Sequence, residues 1–516
     1  WTIAAARVIL GPDMNIQAPP NLSEDYGQLI DAGINDWGGV SPVTIDHVNP
    51  EAAWPAREAL RQVSAARGKF LMERLPVYPA YAIESQRWQD KALRPRVLDA
   101  IDALGFPRSE TWFSGDSGSR APAIQRQATR VSPAIQDILD RAATTPLHEN
   151  EIATLFSARG AEVDAIRAAA DDLRKRMNGD TVSYVVNRNI NYTNVCTYRC
   201  QFCAFSKGRG RTALRGKAYK LDTSEIIDRA QEAWARGATE VCMQGGIHPD
   251  YTGQTYLDLC EALHDALPAL HIHAFSPLEI SQGAQTLGMD VPAYLRLLKD
   301  RGLRSLPGTA AEILDDEVRD IIAPGKLGTQ GWLDAIEAAH GVGLRTTATI
   351  MFGHVDHPKH WARHLLHIRA LQARTGGFTE FVPLPFVHME APLYLQGGTR
   401  KGPTWREVVL MHAVARLVLH PLIPNIQVSW VKLGPEAARA CLESGANDLG
   451  GTLMNESISR AAGAGYGQEF SAADMENFIR GMGRTPRQRT TLYSDAPLER
   501  HRTSIAAVPL SPVSAA

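Results

Sequence analysis

The sequence predicts an α/β protein: a parallel (β/α)8 barrel of the TIM type, preceded by a helical segment and by the C-terminal part of a second, truncated barrel. Three observations lead there. Between residues 181 and 482, short β-branched apolar runs alternate with amphipathic helical segments, giving roughly eight units over roughly 300 residues. A short internal repeat links the two ends of the chain. The composition, 44% hydrophobic and 21% charged over 516 residues, is that of a globular chain with more than one domain's worth of core.

The repeat comes first along the chain. Asn15-Ile16-Gln17 is followed by Asp31-Ala32-Gly33-Ile34-Asn35-Asp36-Trp37-Gly38-Gly39, and Asn425-Ile426-Gln427 by Glu443-Ser444-Gly445-Ala446-Asn447-Asp448-Leu449-Gly450-Gly451. If both copies belong to like modules, most of the first module lies upstream of Trp1. Residues 1–103 are therefore expected to be the remnant of a first module. Residues 104–130, rich in Gly, Ser, Pro and Arg without periodicity, are expected to be a linker. Residues 131–180 read as a helical extension, since Ile135, Ile138 and Leu139, then Ile152, Leu155 and Phe156, recur at helical spacing.

The barrel is expected over 181–490. Its strands are predicted at 183–190, 239–243, 270–275, 303–306, 344–352, 378–382, 425–430 and 446–449. The helices between them are predicted at 223–236, 254–266, 291–301, 329–341, 358–374, 403–420 and 434–444. A doubly wound open sheet is the alternative, but no Gly-rich dinucleotide fingerprint follows the first strand. The Pro/Ser/Ala-rich stretch 491–516 is expected to be a disordered tail.

With 54 Lys+Arg against 56 Asp+Glu, the charge offers no basic excess for nucleic acid or membrane surfaces. No run reaches the roughly 18 apolar residues of a membrane span, and the N-terminus lacks the layout of a signal peptide. A cytoplasmic location is the expectation.

Six cysteines are too few for a disulfide scaffold. Cys242, Cys260 and Cys441 are scattered and suit core positions. Cys196, Cys200 and Cys203 are not scattered. They form C-x3-C-x2-C directly after the first predicted strand, with Phe202 before the last Cys. Three thiolates on one loop can hold three irons of a 4Fe-4S cluster, whereas clusters usually take four protein thiolates. The fourth iron is then open to a small molecule. A structural zinc site needs a fourth ligand at pairing distance, and buried core cysteines are the plainer alternative.

This spacing, at the end of a first barrel strand, resembles the signature of the radical S-adenosylmethionine enzymes. Asn189-Ile190-Asn191-Tyr192-Thr193-Asn194 before it and Cys203-Ala204-Phe205-Ser206 after it resemble the deazaflavin and menaquinone-pathway branch, in particular the tyrosine-dependent half of the FO synthase family. Asp36-Trp37-Gly38-Gly39-Val40-Ser41-Pro42-Val43-Thr44 with Asn49-Pro50 resembles the end of that family's other, cyclising half. The resemblance implies one 4Fe-4S cluster in this chain on Cys196, Cys200 and Cys203, and S-adenosyl-L-methionine as cosubstrate. It implies a transferase that joins the 4-hydroxybenzyl part of L-tyrosine to 5-amino-6-(D-ribitylamino)uracil, served by an electron donor. It further implies a cyclising lyase module fused upstream, which would complete the chromophore of coenzyme F-420. A futalosine-pathway menaquinone enzyme and a non-enzymatic Fe-S electron carrier are the competing functions.

The resemblance also suggests roles at the barrel rim. Gly245 and Gly246 would meet the methionyl amino group through their backbone, with a plain turn as the alternative. Ser276 and Glu279 would hold ribose or substrate, or simply cap a helix. Glu312 and Arg319 are candidates for the same cosubstrate, Arg319 for its carboxylate; a solvated helix-face pair is the alternative. His354 is a candidate substrate hydrogen-bonding group, and His354 with His357 lacks the third ligand a metal would need. Trp430 and Lys432 would offer a stacking ring and a cation at the mouth, against ordinary packing. The corresponding residues of the first copy, Pro20 and Leu22, offer neither.

Overall fold

A computed structural model describes residues 1–41, 43–123, 131–208 and 217–510. The chain forms two compact units, Trp1–Pro76 and Val77–Ala516.

The first unit is small. Helices Thr2–Leu10, Tyr26–Asp31 and Arg57–Ala66 gather around Ala18, Ile34, Trp37 and Leu60, and a parallel bridge joins Gln17 to Asp36. Asp25 caps the second of these helices, accepting from the Gln28 N–H at 3.0 Å.

The second unit contains the barrel. Its strands are β1 (Thr181–Val185), β2 (Asn187–Asn191), β3 (Glu240–Gln244), β4 (His271–Ala274), β5 (Leu303–Leu306), β6 (Arg345–Phe352), β7 (Phe378–Pro385), β8 (Asp448–Gly451) and β9 (Thr485–Arg489). β2 through β7 pair in parallel and in chain order. Parallel bridges Phe381–Ile426 and Gln427–Asp448 carry the sheet to β8. β8 pairs with β1, which runs into β2 through Val186, so the ring closes. The expected α/β barrel is what forms. The predicted strand at 425–430 is reduced to the two bridging residues, because Ser429 already precedes the helix Trp430–Leu442. Gly434, at φ 75°, and Pro435 kink that helix.

Three helices, Pro133–Ala142, Glu149–Ser157 and Ala161–Asn178, precede β1. The second and third pack on the barrel helices Pro358–Thr375 and Trp405–Leu419, with the Phe156 and Trp361 rings 5.0 Å apart, and the first packs on these two. Trp405–Leu419 is buried almost all round because the extension covers its outer side.

Two expectations need correction. Residues 104–123, read as part of a linker, form a strap that belongs to the second unit. Trp112 is buried against Trp405, Arg108 donates to the Gly402 carbonyl at 2.8 Å, and the Gly115 N–H donates to the Lys432 carbonyl at 2.7 Å. The compact unit accordingly begins at Val77 rather than after residue 103; the rest of the predicted linker, 124–130, lies outside the described residues. The stretch expected to be a disordered tail is also built in as far as residue 510. Arg489 bridges to Asp495, and helix Leu498–Ala506 packs on helix Ala472–Arg480. Among the described residues no helix is long and apolar enough to cross a membrane.

Candidate active site

A cavity of about 410 Å³ opens at the C-terminal ends of the barrel strands, where barrel sites lie. The loop after β2 supplies one wall. Its approach is pegged by the Asn-Tyr-Thr-Asn run. Asn194 accepts the Tyr219 N–H at 2.8 Å and donates to the Lys217 carbonyl at 3.0 Å. Thr193 donates to the Tyr219 carbonyl at 2.8 Å and accepts the Val195 N–H at 3.1 Å. Cys196, Cys200 and Cys203 all line the cavity, and the Ile247 N–H donates to Cys196 Sγ at 3.3 Å.

Gly245 and Gly246 line it too, and the structure gives a local reason for both. A Cβ on Gly245 would sit 2.3 Å from the Tyr192 ring, and one on Gly246 would sit 2.2 Å from the Val195 carbonyl oxygen. The cysteine loop rests on this turn, so a side chain there would displace it.

The donor set fits an Fe-S cluster. Burial pushes the Cys200 thiol up to about 12 and raises that of Cys203, so thiolates at these two positions need a compensating cation, which bound metal supplies. The cavity wall also holds polar atoms without a protein hydrogen-bond partner among the described residues: Glu312 Oε2, Thr309 Oγ1 and Asn189 Oδ1. Buried polar atoms are rarely left so.

Lys326 completes this side. Its ammonium pairs with Glu312 at 2.6 Å and lies 5.6 Å from the Phe202 ring centre. Burial alone would lower its pKa, but Glu312 and Cys200 together outweigh burial and raise it. No pattern in the sequence marks this residue, because it follows the turn Ala323-Pro324-Gly325 without periodic context.

Several predicted residues are placed elsewhere or spent. Arg319 does not reach the cavity: its guanidinium donates to the carbonyls of Ala310, Ala311, Ile313 and Leu327. It pins the backbone around Ala310 and Glu312, both at positive φ, so the expectation of a carboxylate contact is corrected. His354 is fully buried outside the lining, with Nε2 on the Met351 carbonyl at 3.0 Å and Nδ1 accepting the Val355 N–H at 2.9 Å. Trp430 is not part of the lining either; its indole donates to the Gly451 carbonyl at 2.8 Å and packs edge-on to Phe470.

Ser276 and Glu279 do line the cavity, as a capping box on helix Pro277–Thr286. Glu279 accepts from Tyr192, Ser276 and the Gly245 N–H, so its carboxylate is already engaged. Lys432 lines the cavity and donates to Ser459 Oγ at 2.8 Å. Cys260 and Cys441 are buried core residues, whereas Cys242 faces the cavity from β3.

The barrel interior is more polar than the sequence reading anticipated. Asn187, Asn189, Glu240, Cys242, His273, Thr347, Thr349, Glu380 and Gln427 all face inward. The signal was available: parallel strands covered on both sides usually read as continuous apolar runs, and Asn187/Asn189 and Thr347/Thr349 break that rule with period two. At the closed end Arg489, delivered by β9, pairs with Asp448 at 2.6 Å and Glu380 at 3.0 Å. Burial pushes Glu380 up to about 7 against the pull of Arg489. Outside the cavity, Asp315, Glu317 and His360 bring possible ligand atoms within 4.8 Å. His360 Nδ1 accepts the His357 N–H at 3.0 Å, which leaves the ring proton on Nε2 and no lone pair there for a metal.

The Radical SAM superfamily matches residues 190–368 and the CofH/MqnC C-terminal region matches 375–502. An FO synthase of Streptomyces avermitilis is 46% identical over 551 residues, covering 98% of this chain and 64% of that protein. One of Streptomyces coelicolor is 45% identical, with 97% and 63% covered. The chain thus spans 64% and 63% of the length of these two relatives. A 5-amino-6-(D-ribitylamino)uracil–L-tyrosine 4-hydroxyphenyl transferase of Methanothermobacter thermautotrophicus is 45% identical over 358 residues, 69% of this chain and 96% of that protein. Among solved structures, methylornithine synthase superposes with a TM-score of 0.54 at 19% identity, over 68% of this chain and 97% of the other; it supports the barrel fold alone. With a relative 45% identical and covered over 96% of its length, the chain belongs to the radical S-adenosylmethionine enzymes of the FO synthase and 4-hydroxyphenyl transferase family.

Proposed function

We propose that this chain joins the 4-hydroxybenzyl part of L-tyrosine to 5-amino-6-(D-ribitylamino)uracil, the reaction named for its Methanothermobacter relative. The observation that carries the reading is the 45% identity over 96% of that transferase, a match covering 69% of this chain and therefore long enough to contain the cysteine loop. Cys196, Cys200 and Cys203 would hold one 4Fe-4S cluster, with the backbone of Gly245 and Gly246 and the Glu312–Lys326 pair beside S-adenosylmethionine. When bound, these groups supply the one-electron chemistry that generates a hydrogen-abstracting radical; an external donor supplies the electron. The chain's own part is enclosure and orientation. The barrel wall keeps bulk water from the reacting atoms, and the inward amide and hydroxyl groups of Asn189, Thr347, Thr349 and Gln427 suit a polyol-bearing uracil.

The first unit we assign to the cyclising module. It repeats the corner built from Asn425 to Gly451, and the identity to FO synthases extends through it. This also favours the deazaflavin reading over a menaquinone enzyme. The test is mass spectrometry of products from tyrosine and the diaminouracil with the reduced, reconstituted protein. The adduct should form together with 5'-deoxyadenosine. Release of 5'-deoxyadenosine without adduct, in the presence of both substrates, would contradict the assignment.

A further inference from the structure

Five carboxylates and three cations line the cavity: Glu240, Glu279, Glu312, Glu380 and Glu456 against Lys326, Lys432 and Arg489. Lys326 is paired with Glu312, and Arg489 with Glu380 and Asp448. Lys432 has no carboxylate within ion-pair distance among the described residues; its one side-chain partner is the Ser459 hydroxyl at 2.8 Å. The segments outside the description contain no Asp or Glu that could supply one. The neighbouring acid, Glu456, is committed to the Ser459 N–H at 2.8 and 3.1 Å. Burial lowers the pKa of Lys432, with Glu456 only partly opposing. An ammonium enclosed with a single neutral acceptor is a costly arrangement unless an anion joins it.

The fold does not require this lysine. The same corner in the first unit forms around Gln17 and Asp36 with Leu22 at the matching position, and Leu22 is exposed there. The lysine also stands apart from the cluster side of the mouth. The cysteine loop, Gly245–Gly246, Ser276 and Lys326 follow β2, β3, β4 and β5, whereas Lys432 follows the bridging residues Ile426–Gln427, across the ring, facing Ser459 on the short helix Ile458–Ala461 after β8. Of the substrates in the proposed reaction, tyrosine brings a carboxylate and the diaminouracil brings none.

We propose that Lys432, together with Ser459, binds the α-carboxylate of the L-tyrosine substrate; this rests on the function proposed above. The side chain to be cleaved is then held at a fixed distance from the carboxylate end, with its ring directed into the barrel. A charge-assisted hydrogen bond of this kind corresponds to on the order of tenfold to a hundredfold in affinity.

The test is a chemical double-mutant cycle on the reconstituted holoenzyme, with equilibrium binding as the readout. Dissociation constants are measured for tyrosine, for tyramine, which lacks the carboxylate, and for S-adenosylmethionine, with wild type, Lys432→Met and Lys432→Arg. Iron per chain and the thermal midpoint verify that each variant is folded and loaded. Wild type should bind tyrosine at least about tenfold more tightly than tyramine. Lys432→Met should bind the two alike, and Lys432→Arg should recover part of the difference. In turnover the loss should fall on the tyrosine KM more than on kcat. Additive effects of removing the lysine and the carboxylate would overturn the proposal. So would weakening of S-adenosylmethionine instead of tyrosine, which would assign Lys432 to the other amino-acid carboxylate. If wild type binds tyrosine through Lys432 yet forms no adduct, the proposed reaction fails while this inference stands. If a loaded Lys432→Met enzyme does not fold, Ser459→Ala serves, with a smaller shift expected in the same direction.

Discussion

The corner at Asn15–Gly39 and the corner at Asn425–Gly451 have the same wiring. In the first, Asn35 Oδ1 accepts the Ile16 N–H at 2.7 Å and Asn35 donates to Asn15 at 2.9 Å. In the second, Asn447 Oδ1 accepts the Ile426 N–H at 2.9 Å and Asn447 donates to Asn425 at 3.1 Å. Asp36 and Asp448 each accept from the Gly two residues on, at 2.7 Å in both. Arg7 donates to the Gly33 carbonyl and Arg416 to that of Gly445, both at 2.8 Å. Arg74 holds Asp36 at 2.7 Å and Arg489 holds Asp448 at 2.6 Å. These partners come from far apart in sequence, so short motifs alone would not produce the coincidence. The difference lies in what is added. The second corner places Lys432 at a cavity and ties Arg489 to Glu380 as well. One build serves as scaffold, and the chemistry sits on the positions that vary.

The carboxylate at the centre of each corner separates them most. Asp448 is fully buried beneath Arg489, while the Asp36 side chain is 10% exposed. Removing Asp448 leaves the buried Arg489 with Glu380 as its remaining carboxylate partner among the described residues, whereas Arg74 lies nearer solvent. Asp448→Ala should therefore cost about 3–5 kcal/mol in denaturant unfolding, and Asp36→Ala about 1–2 kcal/mol. Equal losses would mean that Arg489 contributes no more than Arg74.

The glycine beside that carboxylate should behave alike in both. Gly38 and Gly450 hold φ at 72° and 82°, and each would thrust a Cβ into the neighbouring Gln side chain. Gly38→Ala and Gly450→Ala should each cost about 1–2 kcal/mol. A neutral result at one site would break the equivalence.

A pH dependence confined to the second corner also separates the two. Burial raises the Glu380 pKa from its ordinary 4.5 to about 7, so the folded state holds the proton more tightly than the unfolded state. That contribution is complete below pH 4.5 and is lost as pH rises through about 7. Glu380→Gln should flatten the decline in stability over this window, as read by thermal midpoints across pH. A decline unchanged by the substitution would place the titrating group elsewhere.

Much of this was legible in sequence, for identifiable reasons. The barrel strands and the cysteine loop announce themselves through β-branched runs and close spacing, and the two corners through repeated short motifs. What stayed hidden is polar and long-range. β9, Thr-Pro-Arg-Gln-Arg, has no apolar pattern because its work is done by one arginine buried against Asp448 and Glu380. The strap at 104–123 reads as a linker because its hold rests on one tryptophan and an arginine that donates to backbone carbonyls, neither of them periodic. Arg319 looks like a ligand-binding arginine in sequence, yet the left-handed turns at Ala310 and Glu312 expose carbonyls that claim it.

The second corner borders the cavity lined by Cys196, Cys200 and Cys203, and the first corner has no counterpart of that triplet within this sequence. Residues 1–195 contain no cysteine, so all the iron should reside on Cys196, Cys200 and Cys203. The direct measurement is iron and sulfide per reconstituted chain, read with the mass of the product from tyrosine and the diaminouracil. The account predicts one 4Fe-4S cluster, lost in Cys200→Ala but kept in Cys260→Ala and Cys441→Ala, and an adduct that this chain does not convert to deazaflavin. Two clusters per chain, full iron in Cys200→Ala, or deazaflavin made by this chain alone would contradict it.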